Sequence, residues 1–178
     1  MEGGTILSLL QNRPNLRFPF PERFVERVSG ARIERLGRRA KFLTADLSTG
    51  EVLVMHLGMT GRFTVGVGAT ADFHHATGSD ARHDHVVFHM QDGHTVTYND
   101  PRRFGFMELW PAATFDAYPR LAAMGPEPLS NGFSAAYLDT ALKGKATTIK
   151  SALLDQSIIA GLGNIYVCEA LYRSGISP

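Results

Sequence analysis

Cysteine occurs only once, at Cys168, so the chain can form neither an internal disulfide nor a multi-cysteine zinc cluster. That scarcity suits a reducing, cytoplasmic setting. No apolar run approaches the roughly 18 residues of a transmembrane helix. The opening Met1-Glu2-Gly3-Gly4 lacks the basic and then apolar stretches of a signal peptide. Internal repeats are absent. Net charge is nearly absent too: 18 Lys+Arg against 17 Asp+Glu leave +1. Taken whole, this argues against the basic excess usual in nucleic-acid binders. Apolar residues, by contrast, are plentiful. A composition of 44% hydrophobic and 20% charged residues excludes a disordered chain. A chain of 178 residues is one domain, or one and part of a second. At that size about 70% of the extended-chain surface can be buried, enough for a core without metals or disulfides.

The small net charge conceals its parts. Residues 13–41 carry nine Arg/Lys and three Glu, a local +6. Residues 42–141 carry five Arg and eleven Asp/Glu, a local −6, and residues 142–178 return to +2. The hydrophobic pattern divides as well. Pro21–Val28 reads as a short helix followed by Gly30. From residue 40 the period drops towards two. Strands are expected at Lys41–Leu47, Glu51–Leu57, Arg62–Val67, Asp84–Met90, His94–Tyr98 and Phe104–Trp110, with Asp92-Gly93 as a hairpin signal. Residues 68–82 read as a surface loop. Short consecutive strands with tight turns predict an antiparallel sandwich or barrel. After Trp110 the pattern is helical. Ser134 caps one helix to about Leu142, Thr147 or Thr148 a second to about Gln156, and Asn164 a third to about Arg173. Pro119, Pro126 and Pro128 mark the connection between the two parts.

Several groups could carry chemistry. All seven histidines fall between His56 and His94. On a strand, His83 and His85 would share a face and could converge on a metal, as in a cupin-like metalloprotein. Such a site needs a carboxylate a few residues later, and no Glu appears until Glu108, so polar residues at a strand start are the simpler reading. Asp100-Pro101-Arg102-Arg103-Phe104-Gly105 is a turn presenting two guanidiniums beside an aromatic. It suits phosphate or base contact and wedging between bases, or else a structural Arg–Asp pair. Met59, between Gly58 and Gly61, sits at a loop tip or packs in the core. Arg38-Arg39-Ala40-Lys41 is a surface patch, a phosphate site, or a lysine with a lowered pKa suited to proton transfer. Gly161-Leu162-Gly163-Asn164 joins two helices near Lys145 and Lys150. It is an ordinary turn or a phosphate clamp at a helix N-terminus.

Together these stretches resemble the formamidopyrimidine-DNA glycosylase and endonuclease VIII family, closest to its bacterial formamidopyrimidine (8-oxoguanine) branch. The resemblance rests on Arg38–Lys41, His56-Leu57-Gly58-Met59-Thr60-Gly61, His83-Asp84-His85-Val86, Tyr98–Gly105, Gly125-Pro126-Glu127-Pro128-Leu129 and Ile159–Tyr166. Their order and spacing agree over nearly the whole chain. The resemblance implies an α+β protein: an antiparallel β-sandwich with flanking helices over residues 1–115, a linker at 116–130, and a partial helical domain with a helix–two-turn–helix motif at 131–178. It implies double-stranded DNA bearing an oxidised or abasic nucleotide as partner, a monomer, and a place in the bacterial cytoplasm with the nucleoid. Met59, Arg102 and Phe104 resemble residues that fill the space left by an everted base. Lys41 resembles the lysine assigned to elimination chemistry. His83, Arg102, Lys145 and Asn164 match DNA-contacting positions.

The departures are at the ends. Family members begin Pro-Glu-Leu-Pro-Glu-Val-Glu, where the proline amine attacks C1′. Here Glu2 follows Met1 with no proline before it, and a bulky residue after Met1 argues that the methionine stays. The family's four-cysteine zinc finger would lie beyond Pro178, so no cofactor or metal is expected in this chain. The expectation is a DNA-binding part of the enzyme, lacking the nucleophile, with little or no glycosylase activity. The alternatives are a non-enzymatic damaged-DNA-binding paralogue and the cupin-like metalloprotein using His83 and His85.

Overall fold

A computed structural model describes residues 1–67 and 80–178. It divides the chain into two compact units, Met1–Phe115 and Asp116–Pro178. The first unit is a sandwich of two four-stranded antiparallel sheets. Strands β1 (Ile6–Gln11), β6 (Asp84–Met90), β7 (His94–Asn99) and β5 (Arg62–Val67) form one sheet, in that order. Strands β2 (Ile33–Arg39), β3 (Phe42–Leu47), β4 (Glu51–His56) and β8 (Phe106–Pro111) form the other. A short helix, α1 (Phe24–Val28), lies between β1 and β2 in the chain.

Six of these eight strands coincide with the period-two segments of the sequence. The other two, β1 and β2, do not alternate. Only Ile33 of β2 is buried, and the strand otherwise shows Glu34, Arg35, Arg38 and Arg39 to solvent or partial burial. It is a sheet edge, and edge strands tolerate charge because one side has no partner strand. In β1 a register shift between Ile6 and Ser8 interrupts the alternation. The Asp92-Gly93 signal marks a three-residue loop, Gln91 to Gly93, with Gly93 at φ 85° rather than a two-residue turn. The surface loop expected over 68–82 lies mostly outside the described residues. Its last part, Ala81–His83, is a 3₁₀ turn capped by the Asp80 side chain.

The core follows from the pleat. Inward residues of both sheets, among them Ile6, Leu9, Phe88, Met90 and Val96 on one side and Ile33, Ala45, Leu53, Met55 and Met107 on the other, form one buried cluster. Phe20, Phe24 and Val28 close it at the helix. Strand β4 is buried along nearly its whole length, as an interior strand should be.

The second unit contains α2 (Pro119–Ala122), α3 (Ala135–Leu142), α4 (Ile149–Leu154) and α5 (Asn164–Arg173). Residues 116–130, expected as a linker, fall within this unit. Ser134 and Thr148 cap α3 and α4 by accepting from the backbone N–H of Tyr137 and Ser151. Ala152, Leu153, Ile159, Val167 and Leu171 make a small core. Gln156 pins the connection between α4 and α5, donating to the carbonyls of Leu154 and Leu162 and accepting from Gly161 N–H. The Gly125–Pro126 stretch docks on it through Gly125 N–H to Gln156 O and Ala160 N–H to Pro126 O. No helix among the described residues is long and apolar enough to cross a membrane.

Candidate nucleic-acid interface

Two turns of the first unit meet at Asp100. The first joins β4 to β5 and carries Gly58-Met59-Thr60-Gly61. The second joins β7 to β8 and carries Asp100 to Gly105. Asp100 is fully buried, a costly place for a carboxylate unless its oxygens are satisfied. They are: one accepts from Thr60 Oγ1 at 2.5 Å, the other from Tyr98 OH at 3.2 Å and Gly105 N–H at 2.9 Å. The Thr60 hydroxyl in turn accepts from Arg102 N–H at 3.3 Å. The Asp100 carbonyl receives a ring N–H from buried His85 at 2.8 Å. The structural Arg–Asp pair offered as one reading of this motif is therefore not what forms. The carboxylate points inward to a hydroxyl and phenol, and both arginines point out. The phenol of Tyr98 is held in its protonated form by burial and by the Asp100 charge.

Two glycines make this contact close enough. Gly58 has φ +62°, and a Cβ there would lie 2.5 Å from the Phe104 carbonyl carbon. A Cβ on Gly105 would lie 1.8 Å from the Tyr98 hydroxyl. The turns are therefore interlocked by backbone as well as by hydrogen bonds. Out of this base stand three side chains. Met59 is 72% exposed and Phe104 42%. The Arg102 guanidinium lies over the Phe104 ring, 4.5 Å from its centroid, so a cation and an aromatic face are offered as one shape.

The other residues singled out in the sequence fall nearby or apart. Lys41 is at the tip of the β2–β3 hairpin, where Arg39 pairs with Phe42 and two residues make the turn. Its neighbour Ala40 is buried at φ 53°, a strained position for a residue with a Cβ, and Arg38 donates to the Ala40 carbonyl at 2.7 Å. Desolvation lowers the Lys41 pKa from its ordinary value. The hairpin connects to the first turn through Phe42, which pairs with His56, whose ring accepts from Gly58 N–H. His83 belongs to the 3₁₀ turn rather than to a strand, and its carbonyl accepts from Asp100 N–H. It therefore does not share a strand face with His85, whose Nε2 is already engaged. The shared-face geometry of a cupin-like pair is not formed, and among the described residues no three His, Cys, Asp or Glu side chains converge as metal ligands. In the second unit, Lys145 and Asn164 are both exposed. Asn164 is the first helical residue of α5 rather than its cap. Gly163 holds the cap position, and the Asn164 side chain accepts from Cys168 Sγ at 3.6 Å.

Sequence reasoning missed Asp100, Thr60 and Tyr98 as one assembly. Thr60 lies 40 residues from Asp100, and only the presence of an aspartate within a Gly-flanked turn hinted at it.

A model of the formamidopyrimidine-DNA glycosylase N-terminal domain matches residues 1–107, and one of the formamidopyrimidine-DNA glycosylase H2TH domain matches residues 124–178. The formamidopyrimidine-DNA glycosylase of Ruegeria pomeroyi is 57% identical over 178 residues, which is 100% of this chain and 63% of that protein. Its namesake in Azorhizobium caulinodans is 53% identical, over 100% of this chain and 62% of its own length. The chain thus spans less than two thirds of these relatives. Among solved structures, Lactococcus lactis Fpg in complex with abasic-site-containing DNA matches with a TM-score of 0.86 at 28% identity, over 100% of this chain and 63% of that one. The complex of the same protein with FAPY-dG-containing DNA matches with 0.84 at 28% identity, over 99% and 63%.

Proposed function

This chain belongs to the formamidopyrimidine-DNA glycosylase family, and from that premise we propose that it grips damaged duplex DNA in base-excision repair, within a glycosylase and AP lyase that removes oxidised purines such as 8-oxoguanine and formamidopyrimidine. One observation carries the reading. Two interlocked turns hold Met59, Arg102 and Phe104 exposed on a base that has no slack.

The chemistry explains why such a device is useful. A base inside the helical stack hides its reactive bonds, so the nucleotide must be turned out. Unstacking costs a few kcal/mol, and the vacated space must be filled. Met59 and Phe104 are apolar wedges of the right kind. Arg102 supplies fixed donors for the unpaired opposite base. His83, Lys145 and Asn164 are assigned to the backbone around the lesion. Lys41 is assigned to the elimination chemistry. Its lowered pKa leaves more free amine at neutral pH, and a free amine can add to the aldehyde carbon of an abasic sugar, lose water and form an imine. The family's four-cysteine zinc finger cannot be built from the one cysteine of these residues, and no role assigned here runs through zinc. The activity is assigned to the bacterial cytoplasm, on the nucleoid, with the protein acting as a monomer.

Binding to a duplex containing a stable abasic-site analogue, followed by fluorescence anisotropy, tests this. A preference over undamaged duplex of about tenfold, near 1.4 kcal/mol, is expected, and Phe104→Ala should erode it. Equal affinity for the two duplexes would overturn the reading. Borohydride trapping on an abasic duplex tests Lys41 separately. The adduct should diminish in Lys41→Arg, and an undiminished adduct removes Lys41 from the chemistry.

A further inference from the structure

Beside the interlocked turns lies a groove of about 550 Å3 lined by Asn15, Leu16, Arg17, Arg102, Arg103 and Phe104. Three of its six lining residues are arginines, and none of the described residues lining it is a carboxylate. Asp100 is close in sequence, but its side chain is buried and used. Among the described residues, none of the three guanidiniums forms an ion pair. The arginines that do pair, such as Arg23, Arg35 and Arg82, lie elsewhere. Three like charges along one open groove repel one another, and a bound polyanion relieves that repulsion.

The far wall is not a loose loop. Leu16 is buried, and the segment folds back on itself through the Asn15–Pro19 bridge and Leu16 N–H to Phe18 O at 3.0 Å. Arg17 N–H donates to the Gly105 carbonyl at 3.1 Å, which ties this segment directly to the turn carrying Phe104. Phe18 packs edge-on against Phe106, the first residue of β8. The Arg17 guanidinium stands 5.5 Å from the Phe18 ring centroid, an aromatic support that limits its freedom without neutralising it. In the sequence, Arg17 is only one of nine basic residues in a charged stretch. The fold sets it apart by placing it across the groove from Arg102.

We propose that Arg17 is a further DNA-binding residue, holding a backbone phosphate of the duplex next to the step that Arg102 and Phe104 enter. The inference rests on the reading of this face as a DNA interface and adds to it a contact of different kind. Arg102 and Phe104 meet the disturbed base step, whereas Arg17 meets the phosphodiester and is indifferent to sequence and damage. It gives the wedge a fixed register on the backbone.

The two kinds of contact differ in salt dependence. Binding to abasic-analogue and undamaged duplexes is measured by anisotropy between about 50 and 200 mM salt, where each phosphate neutralised adds about 0.9 to the slope of log K against log salt. Arg17→Ala and Arg17→Gln are expected to reduce the slope by about 0.9 and to weaken both duplexes by the same factor, while Arg17→Lys retains most of the slope. Phe104→Ala should change the ratio between duplexes and leave the slope in place. Thermal melts of the Arg17 variants should match the parent, since the side chain is exposed. A parent protein that binds duplex with an Arg17→Gln variant of unchanged slope overturns the inference alone. A change confined to the damaged-to-undamaged ratio overturns the phosphate assignment. A parent without salt-dependent binding overturns the DNA reading of this face and the inference with it.

Discussion

Asp100 shows what a single residue does for this site. Each of its three hydrogen-bond donors belongs to a group that would be stranded without it: Thr60 from one turn, Tyr98 from β7 and Gly105 from the other turn. Leaving a buried donor unpaired costs about 1–3 kcal/mol. Asp100→Ala is therefore expected to destabilise the first unit by about 3 kcal/mol or more. Tyr98→Phe, which removes one donor and strands none, should cost about 1 kcal/mol. Urea unfolding followed by the fluorescence of Trp110, the single tryptophan, reads this unit directly. A loss of under 1 kcal/mol for Asp100→Ala would mean that the carboxylate does not hold the turns. The sequence shows the Arg102, Arg103 and Phe104 side chains plainly, because their chemistry is written in their types. It does not show Asp100's role, because an aspartate beside two arginines pairs with them by default. Only the fold, which buries Asp100 just past the end of β7 beside Tyr98, decides otherwise.

At the scale of elements, the strands that alternate were legible, the edge strands β5 and β8 among them, and β1 and β2 were not. A half-buried edge strand such as β2 spends its residues on charge, so the period that identifies a strand is missing. The helices of the second unit were legible through their caps, since Ser134 and Thr148 announce where a helix begins. Asn164 failed as a cap because the two-glycine turn continues one residue short of it, to Gly163. The motif's glycines were visible, but the sequence could not say which of them makes a close approach. Gly58 does, and it gives a prediction for the element. Gly58→Ala places a methyl against the Phe104 backbone at 2.5 Å and strains a φ of +62°. The two turns must separate, and both stability and the damaged-duplex preference should fall. Backbone strain of this kind costs about 1–3 kcal/mol before the clash is counted. A variant with parental stability and parental preference in the same anisotropy assay would show that the turns need not touch.

For the whole molecule, the near-zero net charge was the least informative number in the sequence. What matters is that Asp100, the carboxylate two residues before Arg102, is turned inward while Arg102 and Arg103 are left outside. The same inward packing couples the stability of the first unit to pH through His85. Its ring is buried, one nitrogen donates to the Asp100 carbonyl, and the other, Nδ1, has no partner among the described residues. Burial lowers its pKa, Arg13 and His83 act in the same direction, and Asp100 opposes them without prevailing. Since the folded pKa lies below the unfolded value of about 6.5, the unfolded chain binds the proton first. Stability contributed by neutral His85 is complete above about pH 6.5 and is lost as pH falls towards the depressed folded value, by at most about 1.4 kcal/mol per pH unit. Urea midpoints read from Trp110 fluorescence at pH 7, 6 and 5 should therefore decline. In His85→Gln, whose side-chain amide can still donate towards the Asp100 carbonyl, the decline should be shallower from a lower starting stability. An equal decline in parent and variant would locate the acid sensitivity elsewhere. A steeper one in the variant would mean that His85 takes up its proton within the fold, with Nδ1 finding a partner as the base of the two turns loosens.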